Sequence, residues 1–164
     1  MSDISATAAE PNGAVVMASV QDVLGRVGQV VGRSNWHEID QTRIDQFASA
    51  SGDHQWIHVD PVRAATGPFG ACVAHGLLTL SMAGGILFHE AVQVRSRMGV
   101  NYGCDRVRYP APVLVGAHIQ AVALLVDAQA LDDHAVQMTV RMTVNTQGGN
   151  KPACVADFIL RFYF

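Results

Sequence analysis

The stretch that decides the fold covers residues 76–91 and reads GLLTLSMAGGILFHEA. Before His89, its only polar residues are Thr79 and Ser81. A helix with apolar residues on every side has to be buried. At about 1.5 Å per residue, the stretch predicts one continuous helix about 24 Å long. A chain of 164 residues can bury such a helix only by wrapping it on most sides.

The second half of the chain carries the strand pattern that would wrap this helix. Apolar and polar residues alternate strictly over 136–145, and residues 156–164 present one apolar face. The segment QGGN at 147–150 predicts the hairpin that joins them. Residues 98–109 and 117–128 predict two further strands. A buried helix wrapped by a curved antiparallel sheet is an α+β fold, of which the hot-dog architecture is the best-known form.

In the first half of the chain, the sequence predicts short helices and strands on either side of, and within, one irregular segment, residues 53–70. The short elements are a helix capped by Ser19 through Leu24, a strand within 32–39, a helix capped by Asp40 through about residue 50, and one helical turn over 61–65. Residues 1–18 lack periodicity and predict a disordered N-terminal arm. The remaining residues, 19–164, are expected to form a single domain.

Composition excludes several classes of function. Only 15% of residues are charged, the net charge is −3, and no run of like charge exists, so nucleic acid and membrane surfaces are not expected partners. The longest apolar stretch is shorter than the roughly 20 residues that span a bilayer. The three cysteines form no CxxC pair, which argues against a zinc ribbon or a disulfide framework. We expect a cytoplasmic protein.

Ionisable residues are concentrated in the segment SGDHQWIHVD at 51–60. Asp53 and His58 are candidates for an acid/base pair, because imidazole titrates near neutral pH and burial raises the pKa of a carboxyl group. The alternative is that Asp53 caps a turn after Gly52 and that His58 is a packed core residue. Spacing alone favours this alternative.

Other chemistries have weaker signals. His54, His58 and Asp60 could coordinate a metal, but the four-residue spacing of the histidines suits a helix, and the segment does not read as one. A nucleophilic role for Cys72 beside His75 is less favoured than a place in the core. The start of the long helix, at Gly76, offers unpaired N–H groups that could polarise a thioester carbonyl, although this glycine could equally serve close packing.

Several motifs together resemble a known family. They are FASASGDxxxxH over 47–58, DPxxA over 60–64, FGxxxAHG over 69–76, NYG over 101–103, RVRYPAPV over 106–113 and KPACVA over 151–156. This pattern, which spans about residues 20–164, resembles the MaoC-like (R)-specific enoyl-CoA hydratases, the hydratase 2 group. The form GDHQWIHVDP at 52–61 is most similar to their nodulation protein N-like branch.

The resemblance implies a homodimeric hot-dog enzyme, without metal or cofactor, whose partner is an acyl-CoA thioester. It would add water to a trans-2-enoyl-CoA or remove it from the (R)-3-hydroxyacyl-CoA. Asp53 and His58 would hold the attacking water, one accepting its proton while the other delivers a proton to C2. The N–H of Gly76 would bind the thioester oxygen.

The resemblance also implies substrate-binding residues, namely Gln55, Trp56, Phe69 and His75. Many members have Asn-Pro where this chain has Gln55-Trp56, and the bulkier Trp56 is expected to narrow or reshape the acyl tunnel. Two alternatives stay open: a hot-dog acyl-CoA thioesterase and a non-catalytic acyl-CoA-binding module. The thioesterase would need a carboxylate aimed at the thioester, and the acid nearest the long helix is Glu90 at its far end.

Overall fold

A computed structural model describes residues 15–164. In this range the chain forms six helices and eight strands, in an α+β arrangement that confirms the predicted fold class. In chain order the elements are β1 (Val16–Met17), α1 (Val20–Leu24), β2 (Val30–Arg33), β3 (His37–Glu38), α2 (Gln41–Ser51), α3 (Trp56–Val59), α4 (Pro61–Ala65), α5 (Gly76–Gly84), α6 (Ile86–Ala91), β4 (Gln93–Val94), β5 (Met98–Arg108), β6 (His118–Asp132), β7 (Ala135–Thr146) and β8 (Pro152–Tyr163).

The long strands form one antiparallel sheet with the order β2-β6-β7-β8-β5, and β3 extends it beside β6. The register places Val140 opposite both Leu125 and Phe158, so apolar side chains form continuous rows across the inner face. The predicted alternation in β7 is confirmed, because its apolar positions are buried and its polar positions are partly exposed. The polar side chains lie on the outer face of the sheet.

The apolar stretch at 76–91 forms two helices rather than the single helix predicted. Helix α5 ends at Gly84, and α6 begins at Ile86, after Gly85 has left the helical conformation with φ −108° and ψ −113°. Helix α5 approaches the sheet closely at Gly84, where a Cβ atom would lie only 2.5 Å from Cε1 of Phe158. Leu77 and Ile86 remain exposed in the single chain, so the stretch is not buried on every side.

The capping predictions for the first half are confirmed. The Ser19 side chain accepts a bond from the Asp22 N–H at the start of α1, and Asp40 accepts one from the Arg43 N–H at the start of α2. The predicted strand at 32–39 is instead divided into β2 and β3. One helix was missed, because α3 (Trp56–Val59) lies within the segment predicted to be irregular.

The expected N-terminal arm falls largely outside the described residues, which begin at residue 15. The predicted boundary at residue 18 differs from the structure, since Val16–Met17 forms β1 in parallel pairing with β4. The Met17 side chain is completely buried. Residues 15–18 therefore pack with the domain. Among the helices of the described range, none is long and apolar enough to cross a membrane.

Candidate active site

The candidate site begins where α2 ends. Gly52 has φ +78°, a left-handed conformation that glycine adopts without steric cost, and it turns the chain out of the helix. Asp53 follows directly, with its carboxylate accepting a bond from the Gln55 N–H at 3.3 Å. The Asp53 side chain is exposed, so this turn presents a carboxylate to solvent beside the buried part of the site.

His58 lies on α3 and is 7% exposed. Its Nδ1 lies 2.6 Å from the carbonyl oxygen of Val73, and since a carbonyl only accepts, Nδ1 carries the proton and donates it. In the neutral ring, Nε2 is then left with a free lone pair. The Gln41 side chain also donates to the His58 carbonyl at 2.7 Å, which fixes the backbone of α3.

His75 is the second buried histidine of the site, 4% exposed, and it is the residue that precedes α5. Its ring stacks on the ring of His58 with centroids 3.7 Å apart and an angle of 24° between the planes. Its Nε2 donates to the carbonyl oxygen of Asp53 at 2.9 Å. The ring of Phe47 lies against it at 5.1 Å.

These contacts bring three side chains together that are separated by up to 22 positions in the sequence. One ligand-type atom each from Asp53, His58 and His75 lies within 4.8 Å of the other two. Asp53 also makes the turn contact that the alternative interpretation expected, and His58 is packed as that interpretation proposed. Neither feature separates the two side chains, which lie close together as the turn forms.

The start of α5 lies beside this cluster. The first backbone hydrogen bond of the helix runs from the Thr79 N–H to the His75 carbonyl at 3.2 Å. The Gly76 N–H lies in the first turn, ahead of this bond, where helix N–H groups have no partner within the helix. Within the described structure the His75 side chain does not cap this terminus. A helix start of this kind carries N–H groups with partial positive charge.

A cavity of about 290 Å³ connects His58 with Gly76. Its wall is largely apolar, with Thr79 as a hydroxyl group and the segment 109–112, YPAP, closing one side. The Tyr109 ring lies over Gly76, since a Cβ added there would be 3.0 Å from the ring carbons. The aliphatic and aromatic residues of the wall include Ile57, Phe69, Val73, Ala74, Val113 and Ala153.

The structure places the four expected substrate-binding residues in different surroundings. Phe69 lines the cavity, whereas Gln55, Trp56 and His75 are not part of its wall as described. The Trp56 ring packs against Gly67 and lies under the guanidinium of Arg63 at 4.4 Å. Trp56 is therefore not part of the wall of this cavity, and its effect on the acyl tunnel stays a prediction.

Tyr109, Val73 and Gln41 were missed by sequence reasoning. Two of their contributions are invisible to residue-type patterns: Val73 acts through its backbone carbonyl, and Gln41 binds a backbone carbonyl 17 residues away. A signal did exist for the segment at 109–112, whose two prolines end a strand. Nothing in the spacing of these residues indicated that Tyr109 would lie against Gly76.

A metal at this cluster has an unfavourable donor geometry. The His58 and His75 rings are stacked, so their nitrogen lone pairs run side by side rather than converging on one point, and His75 Nε2 already donates to a carbonyl. The set considered from sequence, His54, His58 and Asp60, is no better placed. Asp60 caps α4 through the Arg63 N–H at 3.0 Å, and His54 is exposed.

Two further ionisable groups near the site are held in their neutral forms. Burial, followed by the charges of Asp45 and Asp60, raises the pKa of the Cys72 thiol, which disfavours the reactive thiolate. Burial also raises the pKa of the Tyr109 phenol. At neutral pH the Cys72 thiol and the Tyr109 phenol are therefore uncharged.

A curved antiparallel sheet packed around α5 and α6 defines the class, a hot-dog protein. The family described as "MaoC like domain" matches residues 22–147. The chain belongs to this family of MaoC-like dehydratases. Its relatives include a named dehydratase and a named hydratase, which is consistent with a hydro-lyase.

Three relatives show the extent of the likeness. The 3-hydroxyacyl-thioester dehydratase Z of Mycobacterium tuberculosis is 47% identical over 145 residues, which cover 88% of this chain and 95% of that protein. Nodulation protein N of Rhizobium leguminosarum bv. viciae is 42% identical over 148 residues, 89% of this chain and 92% of that protein. The structure of the (R)-hydratase from A. caviae, 26% identical, superposes with a TM-score of 0.64 over 82% of this chain and 94% of its own.

Proposed function

We propose that the protein catalyses the reversible addition of water to a trans-2-enoyl-CoA, forming the (3R)-hydroxyacyl-CoA. The observation that carries the proposal is the meeting of Asp53 and His58 within 4.8 Å beside a cavity that reaches Gly76. Hydration of a conjugated thioester needs a proton acceptor, a proton donor and a group that stabilises the enolate oxygen. These three residues could supply all of them.

The hydrogen bonds of His58 suggest which nitrogen carries the proton transfers. Since Nδ1 donates to Val73, the lone pair of Nε2 is the group that can accept a proton from the bound water as its oxygen attacks C3. The Asp53 carboxylate would accept a hydrogen bond from the second hydrogen of that water and so orient it. Nε2 would then deliver the proton it has taken up to C2, which returns His58 to its starting state, and one water has supplied the oxygen of the new C–O bond and the hydrogen of the new C–H bond.

The thioester oxygen would bind at the start of α5. The Gly76 N–H lies before the first hydrogen bond of the helix and carries part of the positive end of the helix dipole. Negative charge that develops on the thioester oxygen during attack at C3 would be stabilised there. The apolar wall formed by Val113, Ala153 and their neighbours would then hold the acyl chain.

The contacts of Glu90 weigh against a thioesterase. This carboxylate lies at the end of α6 and accepts bonds from the His37 side chain at 3.0 Å and from the Asn35 N–H at 2.8 Å. Both partners lie near β3, away from Gly76 and the cavity lining. Glu90 thus serves as a link between α6 and the sheet rather than as a group aimed at a bound thioester.

A homodimer accompanies the proposed activity. Strand β5 is the edge of the sheet as described, and it exposes Met98, Val100 and Tyr102 along 11 residues. A long apolar edge strand is a template for pairing with another chain. Phe69, Leu77 and Tyr109 are also exposed around the site, and a second copy would shield them from water.

The activity is tested with purified protein and crotonyl-CoA. The expected result is loss of the conjugated enoyl absorbance with formation of the (3R)-hydroxy product and no release of free thiol. Release of thiol would support the thioesterase, and binding without turnover would support a non-catalytic module. A chelator is expected to leave the rate unchanged, whereas inactivation that zinc reverses would require a metal in the mechanism.

A further inference from the structure

We infer that His75 is a positioning residue that holds Asp53 and His58 in their working arrangement. This inference rests on the proposed hydratase function and assigns His75 a different part from the substrate contact that sequence resemblance implied. The side chain is 4% exposed and lies outside the cavity wall, so it acts through its neighbours rather than on the substrate.

The first contact fixes the backbone at Asp53. His75 Nε2 donates to the Asp53 carbonyl at 2.9 Å, across 22 positions of sequence. The other hydrogen bonds of Asp53 itself within the described structure are two local ones of 3.3 Å, from the Asp53 N–H to Ser51 and from the Gln55 N–H to the Asp53 carboxylate. The bond from His75 is the shorter one and the one that ties this exposed turn to the core.

The second contact fixes the plane of the His58 ring. The bond from Nδ1 to Val73 sets one point of that ring but leaves it able to tilt about the bond. The His75 ring, stacked at 3.7 Å, covers one face and restricts this motion. Phe47 in turn supports His75, with the two ring centroids 5.1 Å apart. The direction of the His58 Nε2 lone pair therefore depends on His75.

The second ring nitrogen of His75, Nδ1, is buried, and this supports a positioning role for His75 rather than a catalytic one. Because Nε2 donates to Asp53, Nδ1 of the neutral ring carries the lone pair, and it has no hydrogen-bond partner among residues 15–164. A buried acceptor without a partner is costly. His75 nevertheless lies where one side chain contacts both Asp53 and His58 and directly precedes Gly76.

Two substitutions separate the two contacts. His75→Gln retains an amide N–H at about the place of Nε2 but loses the stacked ring, whereas His75→Phe retains a flat ring and loses the donor. His75→Ala loses both. A misplacement of about 1 Å can cost on the order of 100-fold in rate. We expect kcat for crotonyl-CoA to fall about 10- to 100-fold in each single-contact variant and further in His75→Ala, with KM within about 3-fold of wild type.

The matched control is His54→Gln, an exposed histidine of the same segment, which should retain the wild-type kcat. Wild-type hydration that is abolished by Asp53→Asn and His58→Ala establishes the proposed function separately. Given that result, unchanged kcat in all three His75 variants would overturn the positioning role. A raised KM with unchanged kcat would overturn it too, by making His75 a substrate contact.

A spectroscopic measurement on the folded His75→Gln variant tests the inference without relying on activity. Long-range proton–nitrogen NMR spectra of the imidazole rings report the tautomer and surroundings of His58 directly. In wild type, we expect a single Nδ1–H form of His58, and in folded His75→Gln, a shifted or mixed set of ring resonances. Identical His58 resonances in the two proteins would contradict the inference without reference to activity.

Discussion

At the scale of single residues, the site depends on which side of a short helix each side chain occupies. Helix α3 has four residues, and it sends His58 inward to Val73 while it sends Trp56 outward to Gly67 and Arg63. The spacing of Asp53 and His58 alone favoured a turn cap and a packed histidine, and the family resemblance favoured an acid/base pair; the structure places the two side chains close together. The packing of Trp56 against Gly67 and Arg63 was not expected, because the sequence of this segment did not predict a helix.

The different positions of Phe69 and Trp56 lead to a prediction about the substrate. Phe69→Ala enlarges the cavity wall and is expected to raise KM for crotonyl-CoA about 10-fold or more, since about 1–3 kcal/mol of apolar contact is lost. Trp56→Phe keeps a ring against Gly67 and should leave KM within about 3-fold of wild type. Steady-state kinetics on both variants checks this. A larger effect at Trp56 than at Phe69 would place the acyl chain elsewhere.

At the scale of elements, the alternation of β7 and β8 predicted the sheet, whereas the break between α5 and α6 was missed. Apolar residues on every side indicated burial of the stretch at 76–91, but they contain no information on where a helix bends. Consecutive glycines at 84 and 85 were the available signal. The first meets Phe158 of β8, and the second ends the helical conformation.

The contact at Gly84 predicts a specific loss of stability. Gly84→Ala places a methyl group 2.5 Å from Phe158, and overpacking of this kind costs about 1–3 kcal/mol of unfolding free energy. Urea denaturation of Gly84→Ala, Phe158→Leu and the double variant measures the cost. Because Leu leaves space for the methyl group, the double variant should be more stable than the two losses added together. Simple additivity would show that the two residues do not share this contact.

An ion pair on the outer face of the sheet predicts an acid-dependent contribution to stability. Arg141 on β7 donates two bonds of 2.7 and 2.8 Å to the buried carboxylate of Asp157 on β8. These bonds hold the pKa of Asp157 below its usual value, with a smaller contribution from Arg106. A carboxyl group with a lowered pKa stabilises the fold at pH values above its usual range, and this contribution is lost as the pH falls through the lowered pKa.

The test of this pair is Asp157→Asn. We expect it to lower the unfolding free energy by about 2 kcal/mol at neutral pH, a moderate value because Arg141 is one-third exposed and solvent screens the pair. The difference from wild type should shrink as the pH falls below about 4. Denaturation curves across this range provide the measurement. A difference that stays constant down to strongly acidic pH would mean that the charge of Asp157 is not what stabilises the strands.

At the scale of the whole molecule, the exposed edge β5 predicts a symmetric dimer. Sedimentation equilibrium should give twice the mass of the chain. In a two-fold contact each substitution occurs twice, so Val100→Lys would place two cations near each other and shift the protein toward monomer. Val62→Lys, at an exposed apolar position on α4, should leave the mass unchanged. A monomeric wild type, or a Val100→Lys protein that remains dimeric, would argue against pairing along this edge.

Sequence reasoning reached the overall architecture because the sheet and the central apolar stretch have clear periodicities. It could not predict which residues, far apart in the sequence, meet in the candidate site. The stacking of His75 on His58 and the return of Tyr109 to Gly76 depend on tertiary packing. No local spacing encodes such contacts, so the positions of these residues became evident only from the structure.

The proposed mechanism is tested most sharply by the rate of crotonyl-CoA hydration by Asp53→Asn and His58→Ala beside wild type and His54→Gln. Acid/base groups contribute about 10²- to 10⁴-fold to a rate, so each of the first two variants should lose at least about 100-fold in kcat while its fold, judged by circular dichroism, is preserved. The His54→Gln protein should match wild type. Folded Asp53→Asn or His58→Ala that hydrates crotonyl-CoA within about 3-fold of the wild-type rate would contradict the proposed mechanism.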